Sequence, residues 1–208
     1  MIPLMLDLTG RRVLIFGGGD VGARKAAYFE HEAEVTVISR SFSPALDDLA
    51  VRRQEVDLLS LADEALEDLL QGAFLAVAAT SDPRLNDRIG RICAETGVLF
   101  NNAAGKPGDV TIPSVVRGRH YLVAISTRGK SPAVSRYLRM RLESEYADLD
   151  LMIDLQDEMR SMLKDIEPVQ AKRSQILWSI LQDEEIWGAL ASDYDRARAM
   201  AIERYLHA

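Results

Sequence analysis

Val13-Leu14-Ile15-Phe16-Gly17-Gly18-Gly19-Asp20-Val21-Gly22 decides the fold of this chain. Four apolar residues in a row read as a buried strand, and the residues from Val21 to His31 read as the helix that follows it. Between the two lies a G-x-G-x-x-G pattern at Gly17, Gly19 and Gly22. The pattern alone is weakly selective, but a strand before it and a helix after it supply the context its chemistry requires. The first glycine permits a tight turn, the second lets the backbone approach a pyrophosphate, and the third lets helix and strand pack closely. The amides of the helix N-terminus then face the anion. The expectation is a Rossmann unit that binds a nicotinamide dinucleotide.

Working outward, apolar runs and helical patterns alternate as a parallel sheet demands. Val35–Ile38 reads as a second strand, residues 51–56 as a third, and residues 63–70 as an acidic amphipathic helix. Phe74–Ala78 is a fourth strand, buried on both faces. Asp82-Pro83 opens a helix, with Asp82 as cap and Pro83 at its first position. Val98–Phe100 is a fifth strand. The second strand ends in Ser39-Arg40-Ser41 rather than in the acidic residue that binds the adenosine ribose of NAD. Arg40 suits either the 2′-phosphate of NADP or stacking on adenine, so NAD and NADP both stay open.

Past this point the pattern changes. Val110–Val116 and Tyr121–Ser126 read as strands of an antiparallel hairpin turning at residues 117–120. Ser131-Pro132 opens a helix running to about Glu143. Apolar residues then recur at helical spacing through Leu149, Ile153, Met159, Leu163, Ile176 and Ile180. The expected class is α/β: a Rossmann-type parallel sheet over residues 1–112, a hairpin-and-helix segment over 113–145, and an α-helical subdomain over 146–208.

Composition narrows the function. Hydrophobic residues make up 48% and charged residues 27% of the chain, as in folded proteins. No apolar run approaches the roughly 18 residues of a membrane span, and the N-terminal residues do not resemble a signal peptide. Cys93 is the only cysteine, which rules out an internal disulfide and a cysteine-based zinc site. It falls in an apolar-periodic stretch and is expected in the core, and a reducing cytoplasm fits it best. The net charge of -7 argues against general nucleic-acid binding. The charge is uneven: residues 1–112 carry -6, residues 113–145 carry +5, and residues 146–208 carry -6. A basic segment in an acidic chain suits an anionic ligand, and equally a helix face paired with acidic neighbours. His31, His120 and His207 are isolated and have no metal-ligand spacing, so no metal site is expected.

Five stretches in order make a resemblance specific: Val13–Ala26, Ala78-Ala79-Thr80-Ser81-Asp82 with Asn86, Phe100-Asn101-Asn102, Ile112-Pro113-Ser114, and Val123–Pro132. Together they resemble the precorrin-2 dehydrogenases, which form the dehydrogenase/ferrochelatase region of siroheme synthases. The resemblance covers residues 1–145 well and the tail by length and helical character. It implies a homodimer that oxidises precorrin-2 to sirohydrochlorin with NAD as hydride acceptor, some members also inserting Fe(II). It implies cofactor contacts at Gly17, Gly19, Asp20, Val21, Gly22, Arg40, Ser41, Thr80 and Ser81. Substrate contacts are implied at Asn102, Ser126, Thr127, Arg128, Lys130 and Ser131, where cations and helix amides would meet a tetrapyrrole's carboxylates. One residue departs from the pattern. Gly105 stands where the family usually has an aspartate proposed for proton transfer and metal insertion. Asp109, four residues on, is the candidate catalytic substitute, although a carboxylate just before a strand commonly serves a turn. The alternative to a dehydrogenase is a non-catalytic nucleotide- or tetrapyrrole-binding protein on the same scaffold.

Overall fold

A computed structural model of the chain describes residues 2–104 and 108–206. Gly105 and His207 lie outside the described residues. The chain divides into two units, one ending at Ile112 and one running from Pro113.

The first unit is built on a five-stranded sheet in the order β3-β2-β1-β4-β5. Its strands are β1 (Arg12–Phe16), β2 (Glu34–Ser39), β3 (Arg52–Glu55), β4 (Leu75–Ala78) and β5 (Leu99–Asn102). Every pairing is parallel, with β1 between β2 and β4. Helices α1 (Asp20–Phe29), α2 (Asp63–Leu70) and α3 (Pro83–Thr96) make the crossovers. Alternation along β1 assigns the two faces. Val13 and Ile15 pack with Ala23, Ala26 and Phe29 of α1. Leu14 and Phe16 pack with Leu66 and Leu70 of α2 and with Leu85, Ile89 and Ile92 of α3. Each fully buried leucine or isoleucine contributes about 1.5–3 kcal/mol relative to exposure. The edge strand β3, Arg-Arg-Gln-Glu, is exposed along its length, and its charges discourage pairing with another chain.

The strand expected over 110–116 is shorter than the sequence suggested. Only Ser114–Arg117 (β6) pairs with Leu122–Ile125 (β7), in antiparallel register. Val110 is held by the first unit instead: its N–H donates to the Phe100 carbonyl at 3.0 Å, and its own carbonyl accepts from Asn101 Nδ2 at 2.7 Å. Val110 and Ile112 pack at the edge of the α1-side core, and Pro113 has no N–H to give a ladder.

The second unit continues with α4 (Pro132–Glu145), α5 (Leu149–Ile166), α6 (Gln170–Leu181), α7 (Glu184–Leu190) and α8 (Tyr194–Tyr205). Met152, Leu155, Met159, Ile180, Ile186 and Leu190 fill the core of the last four helices. Asp183 and Asp193 cap α7 and α8 through their carboxylates. No helix among the described residues is long and apolar enough to cross a membrane.

Cys93 is fully buried in the α3 side of the sheet. Burial, reinforced by the nearby Asp109 carboxylate, pushes its thiol up to about 12. Only the thiolate is an efficient nucleophile. We expect no reaction of the native protein with a disulfide reagent such as Ellman's at pH 8, and one thiol per chain to titrate once the protein is unfolded in guanidinium. Rapid modification of the native protein would contradict this packing.

Candidate functional site

The order of the sheet places a crevice where its direction reverses, between the C-terminal ends of β1 and β4. A cleft of about 520 Å³ lies there, entirely within the first unit. The glycine turn forms its floor. Gly17 has φ +116°, and a Cβ on it would lie 2.5 Å from the Ala79 carbonyl oxygen of the neighbouring strand's end. A Cβ on Gly22 would lie 1.9 Å from the Gly17 carbonyl oxygen, so only glycine lets α1 start this close to β1. At Gly19 the opposite holds: a Cβ would meet nothing within 4 Å. Its absence therefore serves the cleft and not the packing.

The N-terminus of α1 is the electrostatic centre of the site. Gly19 sits at its N-cap with no side-chain hydrogen bond to the first-turn amides. α3 is closed by Asp82 and α4 by Ser131, whereas α2, α5 and α6 share the open start of α1 but do not line the cleft. The first-turn amides and the positive end of the helix dipole at α1 thus remain for a ligand. Asp20, in that first turn, does not cap them: its Oδ1 accepts from Ser43 Oγ at 2.6 Å. Both Asp20 and Val21 line the cleft.

The cleft walls come from the ends of the neighbouring strands. Ser39, Arg40 and Ser41 follow β2, and Asp57, Leu58 and Leu59 follow β3. Arg40 is largely exposed, with Nε 3.9 Å from Asp57 Oδ1. On the other side stand Thr80 and Ser81 after β4. Eight of the nine residues expected to contact the cofactor therefore line this one cleft, and the ninth, Gly22, packs against the Gly17 carbonyl and sets the shape of the turn.

Two residues at the cleft take their role only from the structure. Asn86 is fully buried and spends its amide on one neighbour. Its Oδ1 accepts from Thr80 Oγ1 at 2.7 Å and from Thr80 N–H at 3.3 Å, while Nδ2 donates to the Thr80 carbonyl at 3.1 Å. In the sequence Asn86 stands only as a companion of the Ala78–Asp82 stretch, with no role attached. Asp57 carried no signal, because only the pairing of β3 with β2 brings it beside Arg40.

The expected substrate and catalytic residues fall in two places. Asn102 ends β5 and accepts from the Ala104 N–H at 3.1 Å. Asp109 is exposed, and its Oδ2 accepts from the Phe100 N–H at 3.3 Å, so the carboxylate braces the return of the chain to β5. In the second unit, residues 126–131 form one turn between β7 and α4. Thr127 Oγ1 donates to the Ser131 carbonyl at 3.0 Å and accepts from the Ser131 N–H at 3.1 Å. Ser126 Oγ accepts from the Arg128 N–H, and Ser131 Oγ from the Val134 N–H. Arg128 adopts φ +53° and Gly129 φ +77°. A left-handed arginine costs about 1 kcal/mol or more, so the turn imposes that conformation on it.

The basic segment divides. Arg119 pairs with Asp154 at 2.7 Å, and Arg139 and Arg141 pair with Glu143 and Glu145 along α4. His120, in the hairpin turn, lies 3.0 Å from Asp154, and its N–H and that of Arg119 are accepted by Asp150. Arg128, Lys130 and Arg136 are exposed and form no ion pair among the described residues. The pairing with acidic neighbours thus holds for Arg119, Arg139 and Arg141 and does not extend to the other three. No group of three or more histidine, cysteine, aspartate or glutamate residues able to hold a metal occurs among the described residues.

Known proteins match this geometry and sequence. A family model described as "Putative NAD(P)-binding" matches residues 4–114. A precorrin-2 dehydrogenase of Methanosarcina barkeri is 44% identical over 211 residues, spanning 97% of this chain and 92% of that protein. Siroheme synthase 1 of Klebsiella pneumoniae is 37% identical over 145 residues, which cover 69% of this chain but only 30% of that longer protein. Among solved structures, SirC, a precorrin-2 dehydrogenase, superposes with TM-score 0.72 at 26% identity, over 99% of this chain and 100% of its own. With an NAD(P)-binding domain at its start and near full-length similarity to these enzymes, the chain belongs to the precorrin-2 dehydrogenase family.

Proposed function

We propose that this protein oxidises precorrin-2 to sirohydrochlorin with NAD, in the synthesis of siroheme and related tetrapyrroles. The observation that carries the reading is the uncapped N-terminus of α1 behind Gly19, open to the cleft at the sheet's switch point, in a chain of this family. A dinucleotide fits these residues. The first-turn amides of α1 hold the pyrophosphate, the open face of Gly19 admits it, and the ends of β2 and β3 receive the adenosine half. Thr80 and Ser81 border the nicotinamide half, with Asn86 fixing the Thr80 backbone. When bound, NAD supplies the hydride acceptor.

The rest falls to this chain's own side chains. The tetrapyrrole carries eight carboxylates, and Arg128 and Lys130 on the turn before α4, which form no ion pair among the described residues, offer cations to them. Asn102, Ser126, Thr127 and Ser131 complete the set assigned to substrate. Oxidation also releases a proton, and Asp109, exposed and with only Oδ2 engaged among the described residues, is the acid-base group assigned to receive it. Placing the substrate carbon against the nicotinamide provides most of the acceleration. Residues 113–145 are assigned to substrate binding and dimerisation, residues 146–208 to a helical domain, and the enzyme to the cytoplasm.

Assembly as a homodimer rests on α4. Ser135 faces inward, whereas Val134, Tyr137 and Leu138, spaced as one helical stripe, are 47%, 62% and 41% exposed. Val123 on β7 is also exposed. A hairpin and one helix cannot bury both of their faces, and a second copy of the same stripe would cover this one.

Three measurements check these assignments. Gly19→Asp should leave the fold intact, since a Cβ there meets nothing within 4 Å, yet abolish NAD binding by placing a carboxylate at the pyrophosphate. Unchanged NAD affinity in the folded variant would remove the basis of the reading. Light scattering should give twice the 23.1 kDa chain mass at micromolar concentration, and a stable monomer would refute the dimer. Finally, the purified protein with precorrin-2 and NAD should develop the sirohydrochlorin spectrum while accelerating Fe(II) or Co(II) insertion little over background. Metal insertion needs a positioned base to take the pyrrole protons, and Gly105 provides none. Strong insertion by the unmodified protein, lost on Asp109→Asn, would move that role to Asp109.

A further inference from the structure

The β2 strand lacks the terminal acid that would bind the adenosine ribose, and Arg40 in its place is chemically suited to a 2′-phosphate. The structure brings a carboxylate to that position from another strand. β3 runs parallel to β2 with Ser39 opposite Glu55, and the Val56 N–H donates to the Ser39 carbonyl at 3.0 Å. The next residue, Asp57, is thereby delivered to the cleft beside Arg40. A local turn fixes it there. Asp57 Oδ1 accepts from the Leu59 N–H at 3.2 Å, and the Asp57 carbonyl accepts from Ser60 Oγ at 2.8 Å and Ser60 N–H at 3.2 Å. Oδ1 also lies 3.9 Å from Arg40 Nε, while Oδ2 accepts no hydrogen bond among the described residues.

We propose that Asp57 is the residue that selects NAD over NADP. This deepens the reading above and rests on the cleft being the dinucleotide site. Oδ2 accepts from the adenosine ribose hydroxyls, the part played in other Rossmann units by the acid at the end of β2. The same charge repels a 2′-phosphate and occupies the guanidinium that would otherwise attract one. Arg40 is left to lie against the adenine with its charge matched. The specificity belongs to the Arg40–Asp57 pair, and neither strand end encodes it alone.

Asp57→Asn is the informative variant, because its amide oxygen still accepts from the Leu59 N–H and keeps the turn while the charge is lost. Dissociation constants for NAD and NADP, measured by calorimetric titration, should favour NAD in the unmodified protein. In Asp57→Asn the NAD/NADP preference should fall on the order of tenfold, through both weaker NAD and tighter NADP binding. Adding Arg40→Ala to that variant should remove the gain for NADP. An unchanged preference in folded Asp57→Asn, or a preference for NADP in the unmodified protein, would overturn the assignment while leaving the cleft as the dinucleotide site. Binding of neither coenzyme to the unmodified protein would overturn the dinucleotide reading itself, and this assignment with it.

Discussion

The contact on which the site depends is the one between Gly22 and the Gly17 carbonyl, where no Cβ can stand. It lets α1 begin hard against the end of β1, with its amides aimed along the sheet's C-terminal edge. The α1-side core, from Ala23 and Ala26 to Val13 and Ile15, then holds the helix at that distance. Without that approach the helix would start farther out, and the uncapped amides would face solvent. Leaving them uncapped forgoes the stability that a Ser, Thr, Asp or Asn at the Gly19 position would supply, about a few tenths of a kcal/mol over glycine. The chain caps α3, α4, α7 and α8 with side chains and leaves α1 open where its first turn faces the cleft.

Around this fixed point the cleft is assembled by register. Parallel pairing aligns the ends of four strands along one edge, so residues far apart in sequence become neighbours without any direct side-chain recognition between them. Arg40 and Asp57 meet because β2 and β3 end together, and Thr80 stands beside Gly17 because β4 ends beside β1. The second unit uses a different device. A threonine and two serines tie the turn before α4, and the chain's left-handed Arg128 is the outcome.

How much of this the sequence disclosed follows from the range of the interactions involved. The β1–turn–α1 unit was legible because its glycines answer to local sterics, and β1 and β4 because buried strands are continuously apolar. The helical tail was legible from its spacing. The strand drawn through Val110 failed because Val110 is claimed by Phe100 and Asn101, a competition between two segments that no pattern of apolar residues records. Asp57 was silent for the same kind of reason: its meaning is set by strand pairing. Asn86 was visible as part of a motif, yet its work became clear only once its three bonds to Thr80 were seen.

That triple attachment has a mechanical consequence. Asn86 belongs to α3, and its amide grips the backbone N–H, the carbonyl and the hydroxyl of Thr80 together. The segment that leaves β4 is therefore rigidly coupled to the helix behind it and cannot swing as an independent flap. α3 is in turn locked to the sheet through Leu85, Ile89 and Ile92. A small tilt of α3 would carry Thr80 with it and change the width of the cleft, as a lever moves a jaw. In this architecture α3, whose Leu85 lines the cleft across from the glycine turn, sets the gauge of the opening, and changes to its packing would register there first.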